Sequence, residues 1–220
     1  MNHAVLFVAL ALAAPAAAED FKTNPDAGNN VFTAVFDAKL GERITAQSSA
    51  VGCDLTFDEK TGTASGACSV PLTSIKVDNE ETKTEHFQQW VTNKKSEPKD
   101  CRFEAKFANV KVGKLAPEQP ASFTAQIPVT VCGRGPVDGR QEQVKGTALL
   151  FPPGAYGEKK TIRIRATIQG FDRDAYHIGP KYTEGWLARV QSLAKVVAEK
   201  GTVELSLFAK SEGEKAASAQ

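Results

Sequence analysis

Residues 52–79, GCDLTFDEKTGTASGACSVPLTSIKVDN, decide the fold. Two runs of strand-favouring residues flank a turn at 58–62, where Gly62 can adopt a positive φ at little cost. Folding about the middle of this turn sets Cys53 opposite Cys68, so that the apolar alternate residues of the two arms share one face. Those residues are Val51, Cys53, Leu55 and Phe57 in the first arm and Cys68, Val70 and Leu72 in the second. A hairpin of this length is not stable alone in water, so we expect it to pack against further sheet.

Apolar residues alternate in the same way along the rest of the chain and predict further strands. The predicted strands lie at 32–40, 101–107, 123–127, 143–151, 161–169 and 202–208. The link at 113–120 suggests a second hairpin. Helical spacing of apolar residues indicates helices within 78–95 and 183–200. Together these elements predict a mainly β chain: an eight-stranded antiparallel, lipocalin-like barrel with two short helices in its connections.

The first residues have the pattern of an export signal. An apolar run at 5–12 leads to Pro15 and to a small-x-small cleavage site after Ala18. We therefore expect a periplasmic or secreted protein with four regions. They are a signal peptide at 1–18, a mobile arm at 19–30, the barrel domain at 31–209 and a disordered tail at 210–220.

Composition excludes some classes of partner. The formal net charge is +1, and this balance argues against electrostatic binding of nucleic acid. No stretch after the leader is long enough to predict an integral membrane segment. The oligomeric state is left open, and a homodimer is compatible with the sequence.

Four cysteines in an exported chain indicate disulfide bonds. Cys53 and Cys68 satisfy the hairpin register. Cys101 and Cys132 flank the link at 113–120 but lie on opposite strand faces, so they can pair only if a bulge, for example at Pro128, changes the parity. The chain has no Cys-x-x-Cys, the motif of thioredoxin-type redox sites and ribbon-type zinc sites.

The hairpin and the residues after it resemble the YceI-like family of polyisoprenoid-binding proteins. The segments 55–60, 69–79, His86-Phe87 and the strand with Phe103 after Pro98 carry this resemblance. The family motif Arg-Asp-x-His-Leu reads Lys-Thr-Glu-His-Phe at 83–87.

This resemblance covers 31–209, and the four cysteines, the loop at 152–160 and the helix at 183–200 depart from the common pattern. It implies a lipocalin-like barrel, exported to the periplasm. It also implies a lumen that binds a long isoprenoid chain, such as a quinone or a polyprenyl phosphate.

We expect large apolar residues to line that lumen. The candidates are Phe32, Phe36, Leu55, Phe57, Val70, Leu72, Phe103, Phe107, Phe123 and Ile127. Such walls suit an isoprenoid tail, because each buried carbon stabilises by about 0.8 kcal/mol. Small residues at 46–52 and 64–69 leave volume inside. The same residues also suit a solid core, so the pattern leaves a hollow and a filled barrel equally open.

The sequence contains no recognisable set of catalytic residues alongside these apolar residues. His86 and His177 are the only histidines after the leader, and neither lies in a metal or nucleophile motif. We interpret His86 as a structural or mouth residue and Asp172-Arg173-Asp174 as a solvated turn. The sequence thus favours a non-enzymatic carrier without a cofactor, whose partner is an isoprenoid or related apolar lipid. The alternatives are an interaction module with a filled barrel and, last, an enzyme acting on a lipid.

Overall fold

A computed structural model describes residues 18–93, 96–182 and 197–212. Within them, twelve strands form one sheet with antiparallel ladders, and one α-helix, α1 (Glu81–Thr92), follows the sixth strand. The strands are β1 (Ala18–Thr23), β2 (Val31–Ala38), β3 (Arg43–Ser48), β4 (Gly52–Asp58), β5 (Thr63–Pro71), β6 (Lys76–Val77), β7 (Arg102–Lys111), β8 (Ala121–Ile127), β9 (Val129–Val131), β10 (Glu142–Phe151), β11 (Thr161–Asp172) and β12 (Val197–Ser211). The expected mainly antiparallel β fold is confirmed. Residues 1–17 of the predicted leader and 213–220 of the predicted tail lie outside the described residues.

The hairpin forms in the predicted register. β4 pairs with β5 so that Cys53 faces Cys68 and Phe57 faces Ala64. At the turn, the carboxylate of Asp58 accepts hydrogen bonds from the backbone N–H groups of Lys60 (2.8 Å) and Thr61 (3.2 Å). These bonds replace ladder partners that the turn residues lack.

The structure has twelve strands where eight were predicted, because β1 and β9 are additional strands and each arm of the hairpin is divided in two. The first arm of the hairpin, expected to begin near Arg43, breaks between β3 and β4, where Ala50 N–H donates to Ser48 Oγ (3.0 Å). The second arm breaks after Pro71, where a short 3-10 turn separates β5 from β6. Each break lets one stretch of chain pair with two sets of neighbours: β3 pairs with β2 and β6, whereas β4 pairs with β1 and β5.

The ladders do not close into a barrel. β12 lies at the centre, with β11 on one edge and with β2 and then β1 on the other. From β1 the ladders continue through β4, β5, β7 and β9, and from β11 they continue through β10 to β8. Pro128 separates β8 from β9 and has no N–H to donate to a ladder. The eight-stranded closed barrel predicted from the sequence therefore differs from the structure in strand number and in closure.

The segment predicted to be a mobile arm contains a strand. In β1, Phe21 is buried, and the strand pairs with both β4 and β12. The Thr23 hydroxyl donates to Val51 O (3.0 Å) and accepts from Cys53 N–H (2.7 Å). Charged residues surround Phe21 in the sequence, so no run of alternating apolar residues marked this strand.

Two further expectations are corrected. The second hairpin forms only at its far end, since β7 pairs with β9 over three residues while β8 pairs with β10. Of the predicted helix at 183–200, residues 183–196 lie outside the described residues, and 197–200 belong to β12.

Both cysteine pairs form disulfide bonds. Cys53 and Cys68 are joined across the hairpin with their Cα atoms 4.1 Å apart. Cys101 and Cys132 are joined with their Cα atoms 4.5 Å apart, which links the start of β7 to the turn after β9. The pairing that the sequence left open is therefore settled in favour of Cys101–Cys132.

The second pairing does not depend on a parity change at Pro128. Ile127, Val129 and Val131 are all buried, so the same face stays inward across the proline. Cys132 instead leaves the strand in a left-handed conformation, with φ of +49°. That turn brings its sulfur back toward the inner face.

Helix α1 begins at a hydrogen-bonded corner. The buried Thr84 hydroxyl donates to Glu80 O (2.8 Å) and accepts from Val77 N–H (3.0 Å). The Lys83 ammonium lies 2.8 Å from Glu80 and 2.9 Å from Asp78, and its hydrogen bonds to these two carboxylates raise its pKa. The first turn of the helix is therefore fixed to the end of β6. Among the described residues, no helix has the length and apolarity needed to cross a membrane.

Candidate functional site

A cavity of about 440 Å³ lies inside the sheet. Residues from all twelve strands line it, together with residues of α1. Most of its walls are apolar. The volume falls within the range of about 300–1,000 Å³ that is typical of small-molecule sites.

The predicted lumen residues were placed on the cavity wall with one exception. Phe32, Phe36, Leu55, Phe57, Val70, Phe103, Phe107, Phe123 and Ile127 line the cavity. Leu72 does not line it, although its side chain is fully buried. It follows the end of β5 in a short 3-10 turn, where the alternation that predicted its direction no longer applies.

Aromatic and small residues lie side by side on the cavity wall. Phe103 contacts Phe32, with ring centroids 5.7 Å apart, and stacks on Phe87 at 6.4 Å. Ala64 and Cys68 line the cavity from β5, the strand that pairs with the strand of Phe103. These small side chains fill less of the interior than large ones would.

Two glycines make room for aromatic rings of this wall. A Cβ atom at Gly146 would lie 2.5 Å from the Phe123 ring, and one at Gly201 would lie 2.6 Å from the Phe36 ring. Real Cβ atoms do not approach so closely, so the rings lie directly on the strand backbone. The rings can therefore point along the wall and leave the centre of the cavity open.

Sequence reasoning missed part of the lining. Phe87 and Trp90 of α1 line the cavity, although the sequence marked them only as helix residues. Phe21 lines it from the unexpected strand β1. The alternation in β11 was a usable signal, because Ile162, Ile164, Ala166 and Ile168 all line the cavity.

The few polar residues of the wall include a group at one end, which we call the α1 end. There β7 and β10 begin, β11 ends and β12 begins, and Asn93 Nδ2 at the end of α1 donates to His177 O (2.9 Å). Lys83 and His86 line the cavity from α1, and Glu42 lines it from the connection after β2. His86 is half-buried there, in keeping with a mouth residue, whereas His177 is exposed and stacks on Tyr182.

Arg173 also lines the cavity at the α1 end, directly after β11. The solvated turn expected at 172–174 is wrong for this residue, because Arg173 is only 9% exposed. Burial lowers the pKa of its guanidinium from the ordinary value, although an arginine stays charged at neutral pH. No sequence pattern indicated the burial of Arg173, because the neighbouring residues Asp172 and Asp174 are charged.

A second buried polar contact lies outside the cavity. The Tyr176 hydroxyl donates to Glu142 Oε1 (2.8 Å), and the Tyr176 ring stacks on Phe171 at 4.8 Å. Burial, together with the hydrogen bond to Glu142, raises the pKa of Tyr176. Arg134 donates to Val91 O and to Tyr176 O. These contacts join α1, the start of β10 and the segment after β11.

Among the described residues, no group of three His, Cys, Asp or Glu side chains is arranged to hold a metal ion. The arrangement that the structure does provide is a mainly apolar cavity with a group of charged and polar residues at one end. Such a site can enclose a long apolar chain and contact its polar end.

No protein-family model matches the chain, and no curated protein matches it either. Among solved structures, the chain is similar to a polyisoprenoid-binding domain from Saccharophagus degradans, which is described as implicated in plant cell wall breakdown. The match has a TM-score of 0.53 and 13% sequence identity, and it covers 88% of this chain and 98% of that one. The resemblance found in the sequence is thereby confirmed at the level of the fold: the chain shares the fold of a polyisoprenoid-binding domain.

Proposed function

We propose that this protein binds an isoprenoid or related apolar lipid chain in its central cavity and carries it in the periplasm or outside the cell, without catalysing a reaction on it. The observation that carries the proposal is the cavity of about 440 Å³ with almost wholly apolar walls. An unfilled apolar cavity costs stability, and a bound apolar chain removes that cost.

Two other observations support the proposal. The shared fold with a polyisoprenoid-binding domain supports an isoprenoid as the chain. The disulfides Cys53–Cys68 and Cys101–Cys132 suit an oxidising compartment outside the cytoplasm. A filled barrel that serves only as an interaction module is less well supported, because the cavity is not filled by side chains.

The proposal can be tested by filling the cavity from its wall. Ala105 lies on β7 and lines the cavity, whereas Ala108 lies on the same strand and is exposed. We expect Ala105→Trp to weaken farnesol binding at least tenfold in a fluorescence titration, because the indole occupies the space of the chain. The matched control Ala108→Trp should bind farnesol like the wild type.

Thermal unfolding of the same variants distinguishes a hollow from a packed interior. In a hollow interior the indole of Ala105→Trp finds room and leaves the melting temperature unchanged or higher. In a packed core the same indole lowers the free energy of unfolding by about 1–3 kcal/mol. A wild type that does not bind farnesol, or an Ala105→Trp variant that is destabilised and binds normally, would contradict the proposed function.

A further inference from the structure

The volume of the cavity limits the chain that it can enclose. An apolar cavity of about 150 Å³ accepts one benzene molecule, so each enclosed carbon requires roughly 25 Å³. On this scale, the cavity of about 440 Å³ encloses roughly 18 carbons. That amount corresponds to three or four isoprene units of five carbons each, whereas a chain of eight units would need more than twice this volume.

One end of the cavity is closed by buried apolar side chains. On β5, Val70 pairs with Phe103 at the α1 end. Ala64 lies at the opposite end of β5, next to the turn of the hairpin, where it faces Phe57 of β4. We call this opposite end the closed end. Four large apolar residues that line it are each at most 6% exposed, namely Phe21, Phe57, Ile162 and Leu207.

Charged groups lie next to the closed end but outside the cavity. Glu19 pairs with Phe57 in the ladder of β1 and β4 and is only 9% exposed. Lys160 Nζ lies 2.9 Å from Glu19 Oε2 and 3.8 Å from Glu59 Oε1. Neither Glu19 nor Lys160 lines the cavity. An apolar chain that advanced further would have to disturb this buried ion pair, which is unfavourable, so the apolar space ends at the closed end.

The α1 end is more exposed to water. Phe36 and Ile44 line the cavity there from β2 and β3, and both are only partly buried. Phe87 and Trp90 line it from α1 and are partly buried as well. Glu42, which also lines this end, is exposed. A chain that enters at the α1 end therefore reaches the closed end with its apolar tail while its polar end stays near water.

Phe57 lies where the depth of the cavity is decided. It lines the cavity and is the residue of β4 directly before Asp58, at which the strand ends. The facing residue, Ala64, has a small side chain and adds little to the barrier. A phenyl ring has six carbons, one more than an isoprene unit, so the ring of Phe57 fills about the space that one further unit would need.

We propose that Phe57 sets the length of the chain that this protein binds, which is three or four isoprene units with the tail against the Phe57 ring. This inference rests on the proposed function and narrows it, from an apolar chain of any length to a short prenyl chain that enters at the α1 end. A longer chain leaves its remaining units in water, where they contribute nothing to binding.

A series of prenyl alcohols tests the length limit on the purified, disulfide-bonded wild type. Geraniol, farnesol, geranylgeraniol and geranylfarnesol have two, three, four and five isoprene units, and Trp90 on the cavity wall provides a fluorescence signal for titration. We expect affinity to rise at least about tenfold from geraniol to farnesol and to rise further to geranylgeraniol, because the added carbons are buried. Geranylfarnesol should bind at most about twofold more tightly than geranylgeraniol, because its fifth unit stays in water.

Two substitutions at the closed end should move the limit in opposite directions. Phe57→Ala frees the space of one unit, so geranylfarnesol should bind at least about fivefold more tightly than geranylgeraniol. Ala64→Leu adds three carbons to the wall opposite Phe57. It should abolish the advantage of geranylgeraniol over farnesol while farnesol binding is retained.

The matched control removes the same ring from the α1 end. Phe36→Ala frees space that adjoins water, so it should leave the limit at four units even if every alcohol binds less tightly. A change of packing without a length limit would affect all four alcohols alike in each variant, whereas a shift of the preferred length requires the closed end.

The outcomes separate this inference from the proposed function. A wild type whose affinity rises about fivefold or more from geranylgeraniol to geranylfarnesol would overturn the length limit and leave the carrier function intact, and this comparison needs no variant to fold. A limit that moves in Phe36→Ala but not in Phe57→Ala would overturn the role of Phe57. Failure of all four alcohols to bind the wild type would remove the proposed function itself.

Discussion

The hairpin of β4 and β5 and the segment from Phe171 to Ile178, which begins at the end of β11, reach their structures by different means. In the hairpin, alternate apolar residues and one turn fix the register, and each partner lies within the same short stretch. After β11, contacts with distant residues determine the structure, because Tyr176 donates a hydrogen bond to Glu142 and Arg173 donates hydrogen bonds to carbonyls of β12. Local patterns thus build the apolar wall, whereas long-range contacts place the polar groups at its end.

The two disulfides offer the strongest test of this comparison. In the chain-entropy model, the Cys101–Cys132 bond, with a separation of 31 residues, stabilises by about 3.7 kcal/mol, and the Cys53–Cys68 bond, with a separation of 15, by about 3 kcal/mol. We expect paired Cys→Ser substitutions to lower the free energy of unfolding in that order, as measured by urea denaturation.

Amide hydrogen exchange on the same variants tests the local origin of the hairpin. Without Cys53–Cys68, the protected amides of β4 and β5 should remain those of the wild type, because the apolar pattern still sets the register. A shifted protection pattern would show that the disulfide, and not the pattern, determines the pairing.

A substitution at Gly66 tests the close approach of backbones within the hairpin. A Cβ atom there would lie 2.3 Å from Asp54 O, at a register shift between β5 and β7. We expect Gly66→Ala to cost about 2–3 kcal/mol in urea denaturation, because the backbone must move. Gly135 has no atom within 4 Å of an added Cβ, so Gly135→Ala should be nearly neutral, and equal effects would contradict the packing described here.

The hydroxyl of Tyr176 tests the long-range side of the comparison. We expect Tyr176→Phe to cost about 1.5–3 kcal/mol at neutral pH, since Glu142 then loses a buried hydrogen bond. The exposed Tyr156 provides the matched control, because Tyr156→Phe should change stability little.

The same pair of variants makes a pH prediction. The folded protein raises the pKa of Tyr176, so its contribution is complete below the unfolded value near 10 and is lost as the pH rises above it. We expect the stability of the wild type to fall more steeply above about pH 10 than that of Tyr176→Phe. If stability fell equally steeply with pH in both proteins, ionisation of the Tyr176 hydroxyl would not be linked to folding.

The sequence predicted the residues that follow a repeating apolar pattern and missed those whose positions depend on contacts with distant residues. The inward residues of β2, β4, β7 and β8 followed from alternation, which is why Phe32, Phe57 and Phe107 were found on the cavity wall. The burial of Arg173 was missed because it depends on carbonyls that β12 brings near only in the folded chain. Strand closure was wrong for a related reason: one proline, Pro128, redirects the pairing on either side of it.

The position of a bound chain tests the central claim most directly. In isotope-filtered NMR of the wild type with farnesol, we predict nuclear Overhauser effects between the prenyl methyl groups and the ring protons of Phe103 and Phe107, which line the cavity. Contacts confined to exposed residues such as Val137 and Tyr156 would contradict the account and place apolar binding on the outer surface.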